Sequence, residues 1–277
     1  MVEYFTNFIS GSNLILMSFL PGFLYLLIIF ITTPYKSWNF NISLIYFLGG
    51  CISTPLIVII HLVFPFLTSL FMIPESIIGK LLMMAFIQVA LIEELSKYLL
   101  YKIFRQRVLK ERKNQHPLSV MVYVGSVSLG FAFVENIMYG FRLGIDALYW
   151  RSITSVIIHM TCGMMMGYWL SLSTHKFKIK TNPINDVSGV SIFDVVLKKK
   201  PLFRKVFYSF MAISMAVFFH GLYDLNIFGV YDFTHTHVDG NISWTIQLII
   251  LFFSLYIVKR MSNHLIKLNI KEVKKVL

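Results

Sequence analysis

The stretch 118–140, LSVMVYVGSVSLGFAFVENIMYG, decides the fold class, because its 23 residues include one charged side chain, Glu135. A helix that crosses the hydrocarbon core of a bilayer needs about 20 predominantly apolar residues. Similar apolar stretches recur along the chain, so we predict about seven transmembrane helices. Their approximate bounds are 14–33, 42–64, 77–101, 118–140, 149–172, 206–228 and 242–258. The predicted fold class is therefore all-α, a polytopic membrane helix bundle.

The composition of the whole chain agrees with this assignment. Of its 277 residues, 57% are hydrophobic and 14% are charged, and the mean hydropathy is +0.71. Soluble domains average roughly 25% charged and about 45–50% apolar residues. A water-soluble protein of this length could not bury so much apolar surface. The composition therefore excludes a disordered protein and argues against a soluble one.

The basic residues predict how the chain is oriented. The net charge is +12, and 20 of the 25 Lys and Arg residues lie in three segments, 102–113, 176–205 and 259–275. These segments lie between or after apolar stretches, which is typical of cytoplasmic loops held beside anionic lipid. We therefore expect membrane lipid, and no nucleic acid, as a partner. Because 231–241 has no Lys or Arg, the predicted topology puts the N-terminus outside and the C-terminus in the cytoplasm.

We expect one integral membrane domain over residues 1–277. Its motif-bearing core spans about 77–228. The longest polar stretch, 173–205, is expected to be a basic cytoplasmic loop, and 259–277 a basic C-terminal tail. No cleaved signal peptide is expected, because no basic residue precedes the first apolar stretch.

Charged and ionisable side chains interrupt four of the predicted spans. Such groups are costly inside a membrane and usually functional. They occur in spans three to six: Glu93, Glu94, Lys97, Glu135, His159, His220 and Asp224. This distribution predicts a single polar chamber inside the bundle. A lone His61 in span two is expected to be structural.

The first motif is Glu93-Glu94-Leu95-Ser96-Lys97. Glu93 and Lys97 are four residues apart on one helical face, so we predict an ion pair between them. Glu94 lies about 100° round the helix and has no such dedicated partner. An unpaired carboxylate in apolar surroundings suits a general base or acid. The alternative is a buried salt bridge that only fixes helix packing.

The other motifs add a third carboxylate and two histidines. Glu135 is followed by Asn136, which can both donate and accept hydrogen bonds; the alternative is that this pair joins helices as packing contacts. Asp224 lies one turn after His220 and could accept its ring N–H. His159 is followed by Gly163 and Gly167, for which we expect close helix packing. The alternative for His159 is a buried structural histidine.

These groups together could hydrolyse an amide bond. Glu94 could take a proton from water. His159 and His220 could bind a divalent metal such as zinc together with one carboxylate, for which Glu135 is the candidate. Alternatively, the two histidines and Asn136 could act without a metal, as oxyanion donors. The sequence leaves both versions open.

The four motifs together resemble the PrsW family of intramembrane proteases, within the wider CAAX-protease superfamily. The matching runs are EExxK at 93–97, FxxxEN at 131–136, His159 with Gly163, and HGxxD at 220–224. They occur in the expected order over about 90–225. The prenyl-protein branch of the superfamily would show EExxxR and FxxxH, so Lys97 and Glu135 favour PrsW.

The resemblance implies proteolysis of a single-span membrane protein, such as an anti-sigma factor, at the outer side of the membrane. It implies an active-site set of Glu93, Glu94, Glu135, His159 and His220, with Lys97, Asn136 and Asp224 in support. The chain lacks the HExxH, GxGD and GxSG motifs of other intramembrane proteases. Two alternatives stay open: a proton- or cation-coupled transporter, and a non-catalytic immunity or scaffold protein on the same fold.

Overall fold

The computed structural model describes residues 15–28, 38–68, 76–108, 116–143, 145–174, 201–233 and 240–273. These residues are almost entirely helical and contain no strand, so the all-α prediction is confirmed. They form seven helices: α1 Ile15–Ile28, α2 Phe40–Thr68, α3 in three consecutive segments (Ile77–Leu82, Met83–Leu91 and Ile92–Val108), α4 Pro117–Leu143, α5 Ile145–Thr174, α6 Pro201–Phe233 and α7 Gly240–Val273.

Four of these helices are long and apolar enough to cross a membrane. Their apolar spans are Pro117–Arg142, Leu148–Thr174, Leu202–Phe228 and Ser243–Lys267. Helix α1 and the apolar part of α2, Phe40–Pro55, are shorter. Each predicted span has a helix at its position, but a total of about seven crossings stays a prediction.

Several helix ends differ from the predicted bounds. Helix α7 continues to Val273, well into the predicted C-terminal tail. Its basic Lys259 and Arg260 are exposed while Leu265 is fully buried, so the helix is amphipathic beyond its apolar part. Helix α6 begins at Pro201, inside the predicted loop, because proline is well suited to the first helical turn.

Helix α4 also extends slightly past the predicted end of the fourth span at residue 140. Helix α4 ends at Leu143, and α5 begins at Ile145. Glu135 therefore lies about 12 Å from the helix end, at 1.5 Å per residue. Glu135 lies beside Arg151 of α5, which is close to the start of that helix.

Helix α4 is the centre of the bundle, and glycines let its neighbours approach closely. A Cβ on Gly130 would lie 1.8 Å from the carbonyl oxygen of Phe47 on α2. On α5, a Cβ on Gly167 would lie 2.6 Å from the Cα of Met121. The predicted packing role of Gly163 and Gly167 is confirmed. By contrast, only 33% of the apolar stretch of α6 and 28% of that of α7 is buried, as expected for helices that face lipid.

The middle segment of α3, Met83–Leu91, is a π-helix that ends just before Glu93. Such wider turns are rare, and they are frequently found at functional sites. Its Phe86 packs on Gly221 of α6, where a Cβ would lie 2.4 Å from the ring. This contact holds α3 against α6 beside His220.

Candidate active site

Helices α3, α4, α5 and α6 bring all the predicted site residues into one buried cluster. Glu94, Lys97 and Asn136 are fully buried, and Glu93, His159, His220 and Asp224 are between 1% and 8% exposed. Glu135 is slightly more open, with a side chain that is 13% exposed. The cluster lies in the interior of the bundle, where each charge depends on its neighbours for stabilisation.

Lys97 connects the first motif to His159. Its Nζ donates hydrogen bonds to Glu94 Oε1 at 2.7 Å and to His159 Nδ1 at 3.0 Å. Glu93 Oε2 lies further away, at 3.7 Å. The predicted ion pair between Glu93 and Lys97 is therefore present, but the expectation that Glu94 has no dedicated partner was wrong, because Glu94 makes the shorter contact. Residues three apart also share a helical face, and His159 favours the position of Lys97 that is closer to Glu94.

Glu135 of α4 contacts two side chains of α5. Its Oε2 accepts a hydrogen bond from His159 Nε2 at 2.8 Å, and its Oε1 pairs with Arg151 Nη2 at 2.9 Å. Arg151 also donates to Asn136 Oδ1 at 3.3 Å and lies over the Tyr139 ring at 3.7 Å. Since His159 accepts from Lys97 through Nδ1, it is Nε2 that carries the proton donated to Glu135.

Arg151 is the member of this cluster that sequence reasoning missed. It lies close to the predicted start of the fifth span, where a basic residue is expected to face the membrane surface. A usable signal was Glu135 itself, a carboxylate inside an apolar stretch whose next cation on the same helix, Arg142, is seven residues away. A buried carboxylate in that setting needs a positive partner from another helix.

His220 contacts three carboxylates. Its Nδ1–H donates to Glu94 Oε1 at 2.9 Å, while Nε2 lies 3.3 Å from Asp224 Oδ2 and 3.7 Å from Glu93 Oε2. The expected contact with Asp224 is therefore present. The rings of His220 and His159 are nearly perpendicular, with centroids 4.8 Å apart.

Two cavities border the cluster on different sides. The smaller has a volume of about 230 Å³ and is lined by Glu93, Phe131 and Glu135, among others. The larger, of about 630 Å³, reaches Glu135, Arg151 and Asp224. Glu94 lines neither of them. Glu93 Oε2 is buried and makes no hydrogen bond within the described residues, so it is a free acceptor at a cavity wall.

One group of side chains has the composition of a metal site. Glu93, His159 and His220 each offer a ligand atom, and these atoms lie within 4.8 Å of one another. Two histidines and a glutamate with an open fourth position suit catalytic zinc. Glu135, the carboxylate predicted for this role, is not in the group and is paired with Arg151 instead. A metal at these atoms requires His159 to give up one of its two hydrogen bonds.

The charges of the cluster also fit a divalent cation. Among the described residues it contains four carboxylates, Glu93, Glu94, Glu135 and Asp224, against the two fixed cations Lys97 and Arg151. Unpaired buried charges are strongly unfavourable. Protons or a divalent ion must therefore balance the two remaining negative charges, and His220 Nε2 faces two of these carboxylates.

Comparison with known proteins identifies the family. The model of the PrsW family of intramembrane metalloproteases matches residues 37–258, which include every helix of the cluster. The chain belongs to the PrsW family. This membership agrees with the resemblance of its four motifs, and the PrsW match extends beyond them into α2 and α7.

Curated PrsW relatives are similar over parts of the chain. Protease PrsW of Oceanobacillus iheyensis is 31% identical over 150 residues, which cover 54% of this chain and 57% of that protein. Protease PrsW of Geobacillus kaustophilus is 25% identical over 205 residues, covering 74% and 75%. Protease PrsW of Bacillus subtilis is 29% identical over 123 residues, covering 43% and 55%. No solved structure matches the chain.

Proposed function

We propose that this chain is an intramembrane endopeptidase that hydrolyses a peptide bond in a single-span membrane protein. The observation that carries the proposal is the free Oε2 atom of Glu93, which is buried at a cavity wall beside two histidines. The family model and the relatives named Protease PrsW support the same activity. An anti-sigma factor is the substrate class that the motif resemblance suggests.

Glu93 suits the reaction centre better than Glu94. Glu94 Oε1 already accepts hydrogen bonds from Lys97 and His220, and Glu94 borders neither cavity. Its role in the proposal is to position these two side chains. Glu93 Oε2 can take a proton from a water molecule in the smaller cavity and return it to the leaving amine, as general base and then general acid.

The negative charge that develops on the carbonyl oxygen needs donors. His159 and Arg151 have N–H groups next to Glu135, and an N–H on His220 Nε2 would point toward the same region. Fixed donors in a buried site stabilise an oxyanion without reorganising during the reaction. In the metal-free version of the proposal these groups serve as the oxyanion site.

In the metal version, Glu93, His159 and His220 would hold the ion. A bound metal would supply the polarisation of the scissile carbonyl. Glu93 is then a ligand, while Glu94 orients His220 through its hydrogen bond to Nδ1. Glu93 is essential in both versions, and removal of metal separates them.

The proposed topology places the reaction near the outer face. Glu135 lies near the C-terminal end of α4, and Arg151 lies near the N-terminal end of α5. If the basic segments 102–113, 176–205 and 259–275 are cytoplasmic, the junction between these helices is outside. The N-terminus is then outside and the C-terminus cytoplasmic. Cleavage is expected in the outer half of the membrane.

The experiment is a cleavage assay in membranes. The chain is co-expressed with a panel of tagged single-span proteins that includes anti-sigma factors. Wild type is compared on one blot with Glu93→Gln, Glu94→Gln and a control, Glu111→Gln, in the basic segment 102–113. A fragment with wild type and the control, absent with Glu93→Gln, is expected. Full cleavage by Glu93→Gln would contradict the assignment of the reaction centre.

The same preparations separate the protease from the transporter. A coupled transporter predicts pH-driven ion or solute flux in liposomes and no fragment with any substrate. A non-catalytic scaffold predicts that Glu93→Gln keeps full function in cells. Fragment size adds a further measurement, since it shows which face of the membrane is cut.

A further inference from the structure

The larger cavity is built differently from the smaller one. It lies between the π-helical segment of α3 and helices α5, α6 and α7, with a volume of about 630 Å³. Much of its wall is apolar or aromatic, including Val89, Ile227 and Trp244. Pockets that bind small ligands typically have about 300–1,000 Å³ and similar walls.

The two cavities share part of their lining beside the proposed reaction centre. Both are lined by Glu135, Tyr139 and Arg142. Glu93 lies on the side of the smaller cavity. A peptide bond at this shared wall therefore has Glu93 on one side, and on the other an apolar space into which a neighbouring side chain can extend.

One polar group in the larger cavity is suited to a peptide. Gln247 on α7 lines the cavity, is 8% exposed, and makes no side-chain hydrogen bond within the described residues. Its amide offers both a donor and an acceptor, which is what a peptide backbone needs. The hydroxyls of Thr154 and Tyr223, by contrast, form a hydrogen bond with each other, with 2.7 Å between the two oxygens.

We propose that the larger cavity binds the substrate side chain next to the cleaved bond and selects a large apolar residue there. Trp150 and Trp244, whose ring centroids are 4.6 Å apart, contribute aromatic surface to its wall. Gln247 binds the backbone of the same residue. This inference rests on the proposed protease activity. A lipid acyl chain is the competing occupant, but it has no polar group to hydrogen-bond with the amide of Gln247.

The test uses the single-span substrate that wild type cuts, with its cleavage position mapped by mass spectrometry. The residue on each side of the cleaved bond is changed in turn to Ala, Leu and Phe. We expect wild type to cut the Leu and Phe forms at one of these positions at least about tenfold faster than the Ala form, since one methylene is worth about tenfold or more in an apolar pocket.

A cavity-filling variant connects this preference to the cavity. Ile227→Trp should lose cleavage of the Phe form and keep cleavage of the Ala form, which also shows that the variant is folded. The matched control is Phe252→Ala, because Phe252 lies on α7 but is 69% exposed outside the cavity. It should keep the wild-type ratio. Gln247→Leu should slow all forms equally.

The outcomes distinguish this inference from the proposed function. If wild type cuts no substrate, the protease activity itself fails. If wild type cuts without preferring a large residue, or Ile227→Trp keeps the wild-type ratio, the specificity pocket is overturned. If Ile227→Trp cuts neither form, the variant Trp244→Ala is used instead. A higher ratio of Phe-form to Ala-form cleavage than in wild type supports the pocket, and an unchanged ratio overturns it. Rates that follow the acyl-chain length of the bilayer, with unchanged ratios, assign the cavity to lipid.

Discussion

Replacing Arg151 with Met leaves the Glu135 carboxylate with His159 as its partner and no fixed cation. In the native cluster Arg151 Nη2 lies 2.9 Å from Glu135 Oε1, and the two side chains are 16% and 13% exposed. Removing one partner of a fully buried ion pair costs about 3–5 kcal/mol. The slight exposure to the larger cavity weakens the interaction through solvent screening, so we expect a loss of about 2–3 kcal/mol of unfolding free energy.

A double-mutant cycle isolates this pair from other effects. Glu135→Gln alone leaves Arg151 without its carboxylate, while Glu135→Gln combined with Arg151→Met leaves neither charge buried. The double variant should therefore be more stable than the sum of the single losses implies, with a coupling energy of about 2 kcal/mol. Arg151→Lys keeps the charge but loses the planar contact with the Tyr139 ring. This loss should lower the free energy of unfolding by about 1 kcal/mol.

The assay is reversible unfolding of the purified variants in mixed detergent micelles, followed by circular dichroism. The same preparations are tested for cleavage, where Arg151→Met should be inactive because Glu135 no longer orients His159. A coupling energy below about 0.5 kcal/mol would refute the reasoning. Arg151 and Glu135 would then contribute to stability independently, despite their short contact.

Three further perturbations test other parts of the structure. If Glu93, His159 and His220 hold a metal, a membrane-permeant chelator should stop cleavage and zinc should restore it. Undiminished turnover by a preparation shown to be metal-free would favour the metal-free version, with proton transfer at Glu93. Lys97→Met should reduce the free energy of unfolding by about 3–5 kcal/mol; near-native stability would show that His220 alone stabilises the Glu94 carboxylate. Gly167→Ala should destabilise the protein by more than about 1 kcal/mol, because the new Cβ would clash with the Met121 backbone. The control Gly22→Ala should be tolerated, because the nearest atom to its new Cβ would be 3.7 Å away. Equal melting temperatures for the two variants would contradict the close packing of α4 and α5.

Most residues of the site could be predicted from the sequence, because few ionisable side chains occur in apolar stretches. Those that do occur there have a large energetic cost. The same reasoning assigned helical faces correctly, since Glu93 and Lys97 do share one. Helical spacing alone could not decide between Glu93 and Glu94 as the partner of Lys97, because that choice depends on His159, 62 residues further along the chain.

The parts that were missed depend on other helices. Arg151 has no local signal for burial, and its role is evident only when α4 and α5 are placed side by side. The choice of Glu93 over Glu135 in the candidate metal group has the same origin, because Arg151 pairs with Glu135. The π-helical segment could not be foreseen either, since its apolar sequence suits any buried helix.

That π-helical segment gives α3 a tolerance for changes in length. A wide turn holds one residue more than an α-helical turn, so the helix before it and the helix after it stay in phase around the extra residue. Deleting one residue between Met83 and Leu91 would let the segment close to regular α-helical turns, with Glu93 and Glu94 still facing the site. A deletion in the α-helical segment Ile92–Val108 has no extra residue to absorb it and would turn everything after it by about 100°. Single-residue deletions should therefore be tolerated better within Met83–Leu91 than in either flanking helix.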